Sequence, residues 1–169
     1  MELKDYIRDI PNFPKEGIIF KDITPLLKDK EAFRYTIEEM SKYIKDDIRY
    51  IIGPESRGFI FGPAVAFNVN KGFIPIRKKG KLPYKTISKT YSLEYGEATL
   101  EMHIDAIEKG DKVVIIDDVL ATGGTMKAII EMIESQGAIV DKVIVLIELL
   151  FLNPRELLKG YDIVSLIQY

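Results

Sequence analysis

The chain has 169 residues, 47% hydrophobic and 30% charged, the size and make-up of one globular domain with its own core. Its 24 basic and 26 acidic residues leave a net charge of −2 and a pI near 5.6, so no global electrostatic attraction favours nucleic acid or a membrane surface as partner. With no cysteine, disulfides, thiolate metal sites and cysteine nucleophiles are excluded; with neither a signal-peptide core nor an apolar run of membrane-spanning length, a soluble cytoplasmic protein is expected.

Leu3, Ile7 and Ile10 share one face of a short first helix that Pro11 would end. The segment NFPKEGIIF that follows is a loop or short strand, and Thr24-Pro25 reads as an N-cap and first-turn pair. Phe33, Ile37, Met40 and Ile44 recur at helical spacing and predict an amphipathic helix over Lys30–Ile44. Tyr50–Ile52 is a short apolar strand ended by Gly53-Pro54; a helix over Gly58–Asn70 and a strand over Phe73–Ile76 follow.

Arg77–Lys89 carries six basic residues and no acid, with Gly80 and Pro83 disfavouring regular structure, so a loop is expected. Tyr91–Tyr95 and Ala98–His103 alternate as an antiparallel hairpin around Gly96. Lys112–Asp117 reads as a strand, Thr125–Ser135 as a helix stopped by Gly137, Ile139–Leu149 as a long apolar strand and Ile163–Ile167 as a last short one. Strands that are apolar throughout are buried on both faces, which predicts an α/β domain over residues 1–169: a mostly parallel twisted sheet flanked by helices.

In such folds ligands bind at the carboxyl ends of the strands, and there the run VVIIDDVLATGGT (Val113–Thr125) places two acids and a small-residue loop. Gly123 and Gly124 let backbone N–H groups approach an anion, Thr122 and Thr125 add hydroxyl donors, and the following helix aims its positive end at the same point. Carboxylates repel phosphate, so Asp117 and Asp118 should meet sugar hydroxyls or a hydrated cation instead; a phosphorylated sugar satisfies both halves. Successive strand residues point opposite ways, so both acids reach one ligand only if the strand is ending there. Neither a GxxxxGK[ST] loop nor a GxGxxG following a strand is present.

The run resembles the phosphoribosyl diphosphate (PRPP) motif of type I phosphoribosyltransferases. IIFKDITPLL (Ile18–Leu27), PESRGFIFG (Pro54–Gly62), RKKGKLP (Arg77–Pro83) and YSLEYGEATLEMHIDAI (Tyr91–Ile107) resemble, in order and spacing, the adenine-specific branch of that family over almost the whole chain. The resemblance implies a small N-terminal hood over about residues 1–30 and an antiparallel flap hairpin over about 78–97. It also implies the reaction of adenine with PRPP to give AMP and pyrophosphate, with Mg²⁺ carried by PRPP rather than by protein ligands, in a homodimer.

Carried onto this chain, Ala121, Thr122, Gly123, Gly124 and Thr125 would hold the 5′-phosphate, and Asp117 and Asp118 the ribose hydroxyls. Glu55, Ser56, Arg57, Arg77, Lys78 and Lys81 would serve the pyrophosphate, with Glu55-Ser56 joined by a cis peptide and the arginine at 77 acting within one subunit or across two. Arg57, at a helix start where the dipole disfavours a cation, suits an anion partner on physical grounds as well. Phe20 would stack on adenine while backbone groups of Ile19 and Lys21 read its edge, although an isolated Phe is more often core. Arg57 supports departure of the pyrophosphate, and Glu94 matches the family's acid/base beside the purine imidazole; free Glu titrates near 4.3, so burial would have to raise it. A flap around Tyr84–Tyr95 would exclude water. His103, without a partner cluster, reads as a non-catalytic surface or packing residue. A transferase for a 6-oxo purine shares the PRPP site; a PRPP-sensing regulator is disfavoured, because no basic recognition helix is present.

Overall fold

A computed structural model describes residues 1–93 and 95–169; Glu94, the acid/base candidate, lies outside the described residues. Two antiparallel strands, β1 (Arg8–Pro11) and β2 (Ile19–Asp22), form the N-terminal hood. Helices α1 (Thr24–Lys28) and α2 (Lys30–Ser41) follow, then β3 (Tyr50–Pro54), α3 (Gly58–Asn68) and β4 (Gly72–Lys78). Strands β5 (Thr86–Leu93) and β6 (Gly96–His103) form the flap hairpin, after which come β7 (Lys112–Leu120), α4 (Gly124–Ser135), β8 (Ile139–Glu148), α5 (Pro154–Leu157) and β9 (Ile163–Gln168). The seven-stranded sheet has the order β5-β6-β4-β3-β7-β8-β9, parallel from β4 to β9 and antiparallel at β6 and β5.

Alternation along β7 accounts for the two-sided core. Val113 and Ile115 pack with α4 residues such as Met126, Ile129 and Ile133, whereas Val114 and Ile116 pack with Leu26 of α1, Met40 of α2 and Phe61 of α3. All four β7 residues are fully buried, as a continuous apolar run in a parallel strand requires.

Several boundaries differ from the sequence reading, each for a local reason. The first helix is a single 3₁₀ turn, Leu3–Tyr6; Ile7 is extended and Ile10 pairs with Phe20, so the backbone groups find partners across the hood instead of along a helix. Thr24 is the first residue of α1 rather than its cap, and the Asp22 carboxylate accepts from its N–H and its hydroxyl, both at 2.9 Å. Helix α2 stops at Ser41, where Tyr43 and Ile44 donate to Met40 and Ser41 in tighter turns. The basic stretch is only partly a loop: Arg77 and Lys78 belong to β4, paired with Glu101 and Leu100, and residues from Thr86 onward belong to β5. Strand β7 continues to Leu120 instead of ending at Asp117.

The short elements after β8, unforeseen in the sequence, hang on one buried carboxylate. Glu148, fully buried, accepts two hydrogen bonds from Arg155, at 2.7 and 2.8 Å, and one from Ser165 at 2.6 Å. The Arg155 bonds hold its carboxyl below the usual range; burial opposes them and Ser165 assists. Arg155→Ala would leave a buried carboxylate without its countercharge, at a cost of about 3 kcal/mol in neutral urea melts. A depressed folded pKa stabilises above the unfolded value and is lost as pH falls through the folded one, so the gap between Arg155→Ala and the native chain should close on acidification below about pH 4.

Candidate active site

Strand β3 hands the chain to β4 on one side, and β7 hands it to β8 on the other, so the crevice between their carboxyl ends is a topological switch point. Pairing between β3 and β7 ends at Ile52↔Ile115, while β7 stays paired with β8 out to Leu120↔Glu148. The last turn of β7 is therefore held on one edge and open on the other. This resolves the geometric demand on Asp117 and Asp118: the strand has not ended, but its β3-side pairing has, and both acids line one cleft of about 330 Å³.

The same cleft receives Glu55, Ser56 and Arg57 from the end of β3, and Ala121, Thr122, Gly123 and Thr125 from the turn into α4. Gly124 opens α4 directly behind them. The Glu55-Ser56 peptide is cis. Gly123 has φ of 92° and lies against the backbone of Pro154, where an added Cβ would come within 3.0 Å of the carbonyl oxygen. Only glycine combines that left-handed backbone with that approach, so the loop turns tightly and leaves the N-terminus of α4, 12 residues long, facing the cleft. Gly58 has a parallel role: a Cβ there would meet Asp117 Oδ1 at 3.0 Å.

Charge in the cleft is arranged around Arg57. Its Nε lies 2.6 Å from Asp118 Oδ2, and its guanidinium lies 5.3 Å from the Phe20 ring centroid, within cation–π range. Asp118 Oδ2 is buried and receives no aligned hydrogen bond among the described residues, so the pair is a Coulombic contact that leaves acceptor capacity on Asp118. Asp117 accepts the Asp118 N–H at 2.8 Å. Burial, and then the adjacent Asp118 charge, push the Asp117 carboxyl well above its ordinary range, against the smaller pull of the Asp118 amide and Arg57.

The remaining candidates are distributed around this cleft. Phe20 belongs to neither core cluster and is half-buried, and the Arg57 contact connects the hood to the cleft. Ile19 and Lys21 flank it on β2; the Lys21 ammonium pairs with Asp9 at 2.7 Å and sits 3.9 Å over the Tyr169 ring. Arg77, Lys78 and Lys81 do not line the cleft. Arg77 pairs with Glu55 at 3.2 Å, and the Lys78 N–H donates to the same carboxylate at 2.7 Å. Partial burial pushes Glu55 upward, but the Lys78 amide and Arg77 outweigh it and hold its carboxyl low. His103 accepts the Tyr84 N–H at 3.2 Å and packs edge-on to the Tyr84 ring.

The sequence reading left out Val119, Leu120 and Met126, which also line the cleft, and Pro154, which supports Gly123. The signal for the latter was present: Glu148 is an acid at the end of an apolar strand, and Asn153-Pro154 is a turn pair.

Comparison with known proteins agrees with this architecture. Residues 25–161 match the model of the phosphoribosyl transferase domain. The chain is similar to the adenine phosphoribosyltransferase of Kosmotoga olearia, 60% identical with all of both chains covered. The crystal structure of adenine phosphoribosyltransferase from Thermoanaerobacter pseudethanolicus superposes with a TM-score of 0.95 at 53% identity, covering 99% of this chain and 98% of that one. The Saccharomyces cerevisiae adenine phosphoribosyltransferase complexed with D-2,5-dideoxy-2,5-imino-altritol 1,6-bisphosphate and adenine superposes with a TM-score of 0.89 at 39% identity, covering 98% and 96%.

An acid whose pKa is raised by folding opposes stability increasingly as pH rises from its unfolded value to its folded one. Asp117→Asn removes that opposition while keeping an acceptor for the Asp118 N–H. Its Tm should exceed the native value at pH 7, by about 2–4 °C for each kcal/mol relieved, and match it near pH 3; scanning calorimetry at both pH values checks this.

Proposed function

The chain belongs to the phosphoribosyltransferase family, in its adenine branch, and on that premise we propose that it transfers the 5-phosphoribosyl group of PRPP to N9 of adenine, releasing pyrophosphate and forming AMP in purine salvage. The observation that carries this reading is the union, in one cleft, of the Ala121–Thr125 loop, the Asp117-Asp118 pair and the Glu55–Arg57 turn.

Amides of Ala121–Thr125, the Thr122 and Thr125 hydroxyls and the α4 dipole take the 5′-phosphate. The Asp118 acceptor that Arg57 leaves unaligned takes a ribose hydroxyl, with Asp117 beside it. Drawing Asp118 onto the ribose frees Arg57 to face the diphosphate, for which its fork of N–H donors is suited. The C1′–O bond then breaks with its electron pair leaving on pyrophosphate, the ribose passes through an oxocarbenium-like state, and adenine N9 bonds to C1′ as its proton departs. Arg57 stabilises the leaving charge, with Arg77, Lys78 and Lys81 as further cations from the same chain or across a homodimer. Glu94 takes part in the proton transfer, Phe20 stacks on the base, and backbone groups of Ile19 and Lys21 read its edge. Water is excluded by the flap.

Among the described residues no three His, Asp or Glu side chains gather as a metal cage. Asp117 and Asp118 are engaged with each other and with Arg57. Mg²⁺ would be carried into the cleft by PRPP, with no side chain assigned to hold it directly. Bound there, Mg²⁺ supplies charge neutralisation on the diphosphate. No helix among the described residues is long and apolar enough to cross a membrane, and a cytoplasmic setting completes the proposal.

A labelled-base assay with PRPP and Mg²⁺ tests the reading: adenine should react, and turnover of hypoxanthine or guanine alone would overturn the base assignment. Asp118→Asn combined with Thr122→Ala should lower kcat/KM about 10²–10⁴-fold, through two lost hydrogen bonds to charged groups, with the fold retained. Glu94→Gln should lower kcat about 10²-fold without weakening PRPP binding, as steady-state and equilibrium measurements would separate.

A further inference from the structure

Among the described residues, a pair of hydroxyls joins the flap to the start of α4. Strand β5 packs along α4, where Lys89 pairs with Glu131 at 2.9 Å and Tyr91 rests against the core cluster on that face of the sheet. From there the Tyr91 hydroxyl reaches the Thr125 hydroxyl at 3.0 Å, a geometry in which either oxygen can be the donor. Thr125 is the second residue of α4 and lines the cleft.

That ambiguity of direction has a chemical consequence. A threonine hydroxyl carries one hydrogen and two lone pairs, and a phosphate dianion only accepts. Once Thr125 donates to a phosphate, it has no hydrogen for Tyr91, and the bond survives only with the tyrosine donating. The chain then runs Tyr91 O–H to Thr125 O–H to phosphate, and donors aligned head to tail polarise one another. Phosphate in the loop thus strengthens the bond that holds the flap.

We propose that Tyr91 is a positioning residue through which occupancy of the 5′-phosphate loop fastens the flap hairpin onto α4, so that the water-excluding element closes firmly only over a phosphorylated sugar. This rests on the Ala121–Thr125 loop being the 5′-phosphate site. The Lys89–Glu131 pair, half exposed on both sides, is too well solvated to do the same and carries no information about the ligand.

The test compares amide hydrogen exchange of the full chain with and without saturating ribose 5-phosphate, for the native protein and Tyr91→Phe, which keeps the ring and removes only the hydroxyl. Ribose 5-phosphate should slow exchange in both Ala121–Thr125 and Thr86–Leu93 of the native protein, but only in Ala121–Thr125 of Tyr91→Phe. Equal slowing of Thr86–Leu93 in both proteins overturns the latch. If Ala121–Thr125 itself does not respond, the phosphate-loop assignment fails, and the latch with it. In turnover, Tyr91→Phe should raise KM for PRPP about 3–10-fold and increase the share of PRPP hydrolysed to ribose 5-phosphate rather than converted to AMP. Added to Thr125→Val it should change neither further; additive effects would mean that Tyr91 acts only through general stability.

Discussion

Beyond Ile115, strand β7 is hydrogen-bonded on one side only. Its partner β8 continues beside it to Glu148, whereas β3 has already turned away toward the Glu55–Arg57 loop. A strand paired on both edges would have sent Asp117 and Asp118 to opposite faces of a closed sheet. Paired on one, it opens a cleft into which both acids, the turn at the end of β3 and the N-terminus of α4 converge. The register with β8 keeps this half-free strand rigid, so the acids are positioned by the sheet rather than by a loop.

The electrostatics of that cleft work against folding. Burial, and then the adjacent Asp118 carboxylate, raise the Asp117 pKa, and Arg57 is shared between Asp118 and the face of Phe20. On the proposed function, sugar hydroxyls would relieve the acids and the diphosphate would give Arg57 a better partner. Glu148 is the contrasting case, where Arg155 and Ser165 meet the buried carboxylate. The contrast separates a carboxylate that supports the scaffold from a pair poised for a ligand.

The sequence was most readable where local pattern and tertiary demand coincide. The apolar run of β7, the small-residue loop and the start of the helix after it are specified within thirteen consecutive residues of VVIIDDVLATGGT, and the structure places them in that order, with the strand running on to Leu120. It was least readable where pairing across distance decides. Leu3, Ile7 and Ile10 fit a helix as well as a turn and a strand; the choice fell to Phe20, which pairs with Ile10. The basic run from Arg77 conceals the end of one strand and the start of another, because charge on its side chains says nothing of backbone pairing. The Tyr91–Thr125 contact spans 34 residues, and no periodicity marks it.

The Gly123 turn rests on Pro154, and the neighbouring Arg155 is held by Glu148, which also accepts from Ser165. During synthesis, then, the phosphate loop leaves the ribosome well before the residues that form its floor. A nascent chain carrying β7 and α4 alone has the motif but not the Pro154 backbone against which Gly123 packs. The motif is local in the sequence, whereas the backbone that supports its turn comes from about thirty residues further along the chain.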